Sequence, residues 1–108
     1  MADISVSIMR LSQEQTQVIT QAVTRIAGKS ARVLVFGSRL DDNARGGDVD
    51  LLVETEEKIP RLDHARMKME LEQLLGLPVD VLVHARGTEA TPFVELARLK
   101  GRVLGDWQ

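Results

Sequence analysis

The sequence contains no cysteine, and only 3% of its 108 residues are aromatic. The absence of cysteine excludes disulfide bridges and thiol catalysis, and it is compatible with a reducing compartment. With so few aromatic side chains, the core must be built mainly from aliphatic residues. Three prolines and eight glycines, with 44% hydrophobic and 28% charged residues, are an ordinary globular balance, which argues against extensive disorder.

An excess of positive charge is also missing. The formal net charge is -2 and the isoelectric point is near 5.6. Proteins that grip a phosphate backbone usually carry a clustered basic surface, so nonspecific nucleic-acid binding is not expected. The chain has no basic segment followed by a long apolar core, and no apolar run approaches about 18 residues. We therefore expect a soluble, unprocessed cytoplasmic protein without a membrane segment.

The length predicts a single domain that covers residues 1–108, with no room for a second core. Its fold class is predicted as α/β (α+β), with a small mixed β-sheet of three to five strands and helices packed on it. Residues 1–10 alternate weakly, and they are compatible with either an edge strand or an arm. No internal repeat or interdomain linker interrupts the chain.

Three helices are predicted from apolar spacing and capping signals. The first follows Ser12, which forms a capping box with Gln15, and it ends near Gly28. The second runs from about Leu62 to Leu75 and buries a stripe that comprises Met67, Leu71, Leu74 and Leu75. The third runs from Phe93 to Lys100, after Thr91 as cap and Pro92 at its first position.

Short β-branched, apolar segments predict the strands. Arg32–Phe36 and Val79–Val83 have the pattern of interior strands, and a further strand runs from Asp48 to Val53. Val103 and Leu104 could add a last extended pair. Residues 37–47 are polar and predict a loop or one helical turn, and residues 54–61 predict a solvated, charged connector.

Three aspartates stand in or at the ends of these apolar strands: Asp48, Asp50 and Asp80. Because side chains alternate along a strand, Asp48 and Asp50 point to the same side. Two like charges about 4 Å apart cost on the order of 4 kcal/mol at an effective dielectric near 20, a large fraction of a domain's stability. A bound divalent cation is the simplest compensation, and carboxylate oxygens suit Mg²⁺. Two such ions would clamp both oxygens of a phosphoryl-type displacement.

Gly37 and Ser38 supply the complementary feature, a phosphate site. Glycine at a strand end lets the backbone approach a ligand closely, and a following helical turn would direct free N–H groups at phosphate oxygens. Arg39 and Arg45 are nearby cations that could neutralise a triphosphate. The chain has neither a P-loop nor a dinucleotide-binding glycine motif.

Purely structural explanations compete with this interpretation. Asp48 could cap a turn after Gly47, Asp80 could pair with a buried arginine, and Arg39 and Arg45 could be solvated. His64 and His84 lack metal-ligand spacing, which favours a surface or helix-lining role. The combination of Gly-Ser, Asp-x-Asp and a third strand aspartate favours the functional interpretation.

The Gly-Ser after an apolar strand, the spaced Asp-x-Asp and the later strand aspartate resemble the polymerase-beta nucleotidyltransferase superfamily. The short length and residues 91–104, TPFVELARLKGRVL, resemble its minimal nucleotidyltransferase branch, in which a HEPN toxin is commonly encoded beside its antitoxin. One difference is that an Ala-Arg-Gly run, which many antitoxins have just after Gly-Ser, lies nearer the aspartates here, at residues 44–46. It is therefore open whether Arg39 or Arg45 faces the nucleotide.

The resemblance implies a polymerase-beta-like core and a Mg²⁺-dependent nucleotidyltransferase, with ATP as substrate. It implies that Gly37 and Ser38 hold the nucleotide phosphates and that Asp48 and Asp50 bind the metal. Asp80 would complete the site and help to activate the attacking hydroxyl. In the antitoxin branch, AMP is transferred to a tyrosine of the partner HEPN toxin (AMPylation), in a hetero-oligomeric complex.

Two alternatives stay open at this point. One is a non-catalytic antitoxin that neutralises its partner by binding. The other is a homodimeric nucleotidyltransferase that acts on a small molecule or an RNA end, although the acidic net charge disfavours RNA.

Overall fold

The computed structural model describes residues 12–36 and 49–104. In chain order the elements are α1 (Gln13–Ala27), β1 (Arg32–Phe36), β2 (Val49–Thr55), α2 (Arg61–Leu75), β3 (Val79–Ala85), α3 (Pro92–Lys100) and β4 (Arg102–Leu104). None of these helices is both long enough and apolar enough to cross a membrane. The weakly alternating segment 1–10 lies outside the described residues.

The strands form a mixed sheet in the order β3-β2-β1-β4. β1 pairs antiparallel with both β2 and β4, whereas β2 and β3 are parallel. A parallel pair needs a crossover connection, and α2 supplies it. The predicted α/β class with a mixed sheet of three to five strands is confirmed.

Each face of the sheet carries its own apolar cluster. On one face α1 and α2 pack on the inward side chains of β1, β2 and β3, and on the other face α3 packs on Leu34 and Leu52. The first cluster comprises Ile19, Ala22, Val23, Val33, Val35, Val49, Leu51, Val53, Met67, Leu71, Val79 and Leu104. No aromatic residue belongs to it, as the composition predicts.

The helix boundaries follow the capping signals. Ser12 and Gln15 form both hydrogen bonds of the predicted capping box, at 3.0 and 2.9 Å. The Thr91 hydroxyl accepts from the amide of Val94 at 3.2 Å, with Pro92 at the first helical position. These predictions are confirmed.

The turn between α2 and β3 is tight and uses both the backbone and the side chain of Glu72. The backbone oxygen of Glu72 accepts from Gly76 N–H at 2.8 Å, and Gly76 has a left-handed φ of 69° that favours glycine. The carboxylate accepts from Val79 N–H and from Lys68 Nζ, both at 2.9 Å. Lys68 Nζ also donates to the Val79 carbonyl at 2.6 Å.

Two strands are longer than predicted, and this corrects the interpretation of Glu54. β2 and β3 each extend two residues further, to Thr55 and Ala85. Glu54 is therefore a strand residue with a 7% exposed side chain, and Arg98 Nε of α3 donates to it at 2.8 Å. The prediction of a solvated connector at Glu54 was wrong because its partner lies 44 residues away along the chain.

Two further side chains differ from their predicted positions. His84 is buried on β3, not at a surface or along a helix, and its two ring nitrogens contact Arg98 Nη2 and the Thr88 carbonyl. Since the guanidinium can only donate, His84 Nδ1 is the acceptor and Nε2 carries the proton. Leu74, predicted in the buried stripe of α2, is 56% exposed, whereas Met67 and Leu71 are fully buried.

Replacing Arg98 by methionine should lower the free energy of unfolding by about 1–3 kcal/mol, since the buried Glu54 carboxylate loses a charged partner. Urea denaturation at pH 7 measures this. Lys100→Met, at an exposed position of the same helix, is the matched control and should change stability by at most about 0.5 kcal/mol. Equal effects of the two substitutions would contradict a stabilising role of the Glu54–Arg98 pair.

Acidification should remove the stabilisation that Glu72 contributes. Hydrogen bonds from Val79 N–H and then from Lys68 hold the pKa of Glu72 below its ordinary value of 4.5. A lowered folded-state pKa means that the contribution is fully present above 4.5 and is lost as pH falls through the folded-state value. The difference in unfolding free energy between wild type and Glu72→Gln should therefore be constant from pH 7 to about 5 and shrink below it. A difference that grows on acidification would contradict this assignment.

Candidate functional site

The mixed sheet brings three strand ends to one edge. β1 runs antiparallel to β2, so its last residue, Phe36, lies opposite Asp50 near the start of β2. β3 runs parallel to β2, so its start lies at the same edge. The end of β1 and the first side chains of β2 and β3 therefore meet at this edge.

Asp50 and Asp80 occupy the same rung of the parallel β2–β3 pair. Neighbouring strands are about 4.8 Å apart, and paired residues direct their side chains to the same face. The next residues of that face are Leu52 and Leu82, which belong to the cluster under α3. Asp50 is half-buried and Asp80 is exposed. The two aspartates thus form one acidic pair at the open edge of the α3 face.

The exposure of Asp80 bears on the alternative that this carboxylate only pairs with a buried arginine. On this face, a described carboxylate that pairs with an arginine is Glu54, whose side chain is 7% exposed and accepts from Arg98 Nε. Asp80 lies four residues before His84, the strand partner of Glu54, and is the second residue of β3. The enclosed carboxylate is therefore Glu54, whereas Asp80 is accessible from solvent.

The donor set of this rung fits a divalent cation. Two carboxylates one strand spacing apart repel each other, and a hard cation between them removes that repulsion. Asp50 and Asp80 would supply oxygen ligands from neighbouring strands at one register position. Within residues 12–36 and 49–104, no cluster of three or more His, Cys, Asp or Glu side chains has metal-binding geometry. A third ligand must come from water, substrate or the rest of the chain.

Several predicted site residues lie outside the described residues: Gly37, Ser38, Arg39, Arg45 and Asp48. Their roles in phosphate and metal binding stay predictions. The structure does place the two ends of their segment, since Phe36 ends β1 and Val49 begins β2 at the edge with Asp50 and Asp80.

The start of α3 adjoins this edge through an aromatic contact. The rings of Phe36 and Phe93 meet edge-to-face, with centroids 5.8 Å apart. Phe93, Leu96 and Leu99, spaced three residues apart, are 57%, 48% and 81% exposed. We call these three residues the α3 stripe. The sequence indicates the helix, but its exposed side becomes visible only when Val94 and Ala97 are seen to fill the core.

A cavity of about 270 Å³ lies near the other end of β3, between Val83 and the first turn of α2. Its lining includes Lys58, Arg61, His64 and His84 but no carboxylate. His64 Nε2 is 2.7 Å from the Val81 carbonyl. The cavity therefore does not share the acidic chemistry of the Asp50–Asp80 edge.

Comparisons with known proteins agree with this arrangement. The family model described as "Nucleotidyltransferase domain" matches residues 17–104. A solved structure described as "Structure of putative minimal nucleotidyltransferase" superposes with a TM-score of 0.63 at 32% identity, over 83% of this chain and 89% of that one.

A curated relative from Methanocaldococcus jannaschii, described as "Putative protein adenylyltransferase", is 43% identical over 54 residues. This match covers 49% of the present chain and 58% of the relative. The family match spans both aspartates of the rung and every described strand, and the structural match covers most of both chains. The chain therefore belongs to the nucleotidyltransferase domain family, with the fold of the minimal nucleotidyltransferases.

Proposed function

We propose that this protein transfers AMP from ATP to a hydroxyl group of a partner protein, with Mg²⁺ bound at the Asp50–Asp80 rung. The observation that carries the proposal is this acidic pair at the open sheet edge of a nucleotidyltransferase domain. The name of the M. jannaschii relative supports a protein as the acceptor. The proposed partner is a HEPN toxin, its modified residue a tyrosine, and the protein itself its antitoxin.

The chemistry needs a nucleophile, a leaving group and a place for one proton. The acceptor oxygen forms a bond to the α-phosphorus of ATP, the bond from that phosphorus to the bridging oxygen breaks, and pyrophosphate leaves. Asp80 accepts the proton of the hydroxyl, for which its exposed position at the strand start is suited. Asp50 lies opposite Asp80 on β2 and is half-buried, and its role is to hold the bound Mg²⁺ in place.

The metal and the phosphates would be held by residues that converge on this edge. Asp50 and Asp80, with Asp48, would ligate Mg²⁺, which supplies charge neutralisation at the transferred phosphoryl group. Gly37 and Ser38 would bind the nucleotide phosphates after β1, and Arg39 or Arg45 would add positive charge. The end of β1 lies close to Asp50, which supports phosphate binding after β1 beside metal binding on β2 and β3.

The α3 stripe supports a protein acceptor. It leaves three large apolar side chains exposed, and the first of them, Phe93, touches Phe36, the strand partner of Asp50. Exposed apolar groups of this kind are typical of surfaces that bind another protein. A partner that covered the α3 stripe would bring its own side chains to the Asp50–Asp80 edge.

Incubation of the protein with ATP, Mg²⁺ and its co-expressed partner should increase the partner's mass by one adenylate or more, as measured by intact-mass spectrometry. Asp80→Asn should reduce the rate by about 100-fold or more, since a general base contributes about 10²–10⁴-fold. Asp63→Asn is the matched control, because Asp63 pairs with Arg66 on the surface of α2, and it should keep full activity.

The outcomes separate the competing functions. An unmodified partner that is still neutralised, also by Asp50→Asn and Asp80→Asn, would favour inhibition by binding alone. Modification of a small molecule or an RNA end by the purified protein, with the partner unmodified, would favour the homodimeric enzyme. Either result would contradict protein AMPylation.

Asp80→Asn should also change stability in a metal-dependent way. Saturating Mg²⁺ should raise the urea midpoint of the wild type but have little effect on that of Asp80→Asn, because binding to the native state stabilises it. Equal responses of both proteins to Mg²⁺ would exclude Asp80 as a metal ligand.

A further inference from the structure

Two side chains of α2 hold the first residue of β3 by its backbone. Glu72 Oε2 accepts from Val79 N–H at 2.9 Å, and Lys68 Nζ donates to the Val79 carbonyl at 2.6 Å. Lys68 and Glu72 are also hydrogen-bonded to each other at 2.9 Å. We call this pair with its two backbone contacts the Val79 clamp.

The Val79 clamp acts next to Pro78, whose backbone is already held from β2. Val49 N–H of β2 donates to the Pro78 carbonyl at 3.0 Å. Pro78 and Val79 are therefore fixed between β2 and α2 immediately before Asp80. Charge-assisted hydrogen bonds are roughly twice as strong as neutral ones, so the contacts from α2 are well suited to stop the end of the strand from fraying.

The position of Asp80 depends on this strand start. The apolar alternation of Val79, Val81 and Val83 decides which face Asp80 occupies, because a slip by one residue would exchange the faces. The apolar alternation does not decide how firmly the first residues of β3 are paired with β2. Strand ends are the least protected part of a sheet. The Val79 clamp supplies that missing restraint, one residue before the carboxylate.

We propose that Lys68 and Glu72 are positioning residues, which hold the Asp80 carboxylate opposite Asp50 so that both can bind one divalent cation. The inference rests on the proposed function, because it takes Asp50 and Asp80 as metal ligands. Neither Lys68 nor Glu72 touches the cation; both act through the backbone of Val79.

A purely stabilising role is the alternative, since the same contacts also join α2 to β3. The two roles differ in their effect on the cation affinity of the folded protein. Loss of stability alone lowers the urea midpoint and leaves the cation affinity of the folded protein intact. Loss of positioning weakens cation binding at a temperature where every variant is fully folded.

The test is Mn²⁺ binding to the full chain, measured by electron paramagnetic resonance at 10–20 °C below the lowest unfolding midpoint of any variant. Glu72→Ala should weaken Mn²⁺ binding about 10-fold, the lower range for residues that orient metal ligands. Glu72→Gln keeps an oxygen that can accept from Val79 N–H, so it should recover most of the affinity. Glu70→Ala is the matched control, since Glu70 lies on the same helix and pairs with Arg25 rather than with β3.

Lys68→Met tests the other half of the clamp and replaces Glu72→Ala should that variant unfold. Its control is Arg66→Met, whose side chain pairs with Asp63 on the same helix. Weaker Mn²⁺ binding in the clamp variants, with both controls unchanged, establishes positioning. Unchanged Mn²⁺ affinity in folded Glu72→Ala or Lys68→Met overturns it.

Asp80→Asn in the same assay separates the inference from the function on which it rests. If Asp80→Asn weakens Mn²⁺ binding while the clamp variants do not, the clamp is structural only and the metal site stands. If Asp80→Asn itself leaves binding unchanged, the proposed metal site is wrong, and positioning for that site falls with it.

Discussion

The parallel pairing of β2 with β3 is the constraint on which the rest of the structure depends. It sets Asp50 beside Asp80 and requires α2 as crossover, and the antiparallel β1–β2 pair then adds the end of β1 at the same edge. An entirely parallel sheet would send the end of β1 to the opposite edge. The mixed sheet is therefore what lets residues distant in the chain share one acidic edge.

The α3 face of the sheet separates two kinds of charge. At one end Asp80 is exposed and Asp50 is half-buried, and at the other the Glu54 carboxylate is enclosed beside Arg98 and His84. The Leu52–Leu82 rung lies between them under α3. Glu54 anchors the helix through Arg98, whereas the exposed Asp80 is accessible to a cation, so similar carboxylates on one pair of strands have different roles.

Much of the fold could be predicted because its signals are local. Ser12 with Gln15, Thr91 before Pro92, and the short apolar strands are each contained within a few residues, and they appear where predicted. The extra strand residues, Glu54 and His84, could not be predicted because a charge or an imidazole in a strand becomes favourable only with Arg98 beside it. The sequence predicts that Asp50 and Asp80 belong to one site, because both are carboxylates in apolar strands. That they are direct strand partners is seen only in the sheet. The predicted roles of Gly37, Ser38, Arg39, Arg45 and Asp48 remain predictions.

The polar contacts of α2 with β3 also limit the pairing of a second molecule with the free side of β3. The outward N–H and C=O of Val79 and the outward C=O of Val81 are already bonded to Glu72, Lys68 and His64. A strand from another molecule could pair with β3 only by displacing three side chains of its own crossover helix. Continuous sheets across two molecules, and the edge-to-edge aggregation that begins in the same way, are therefore disfavoured on this side.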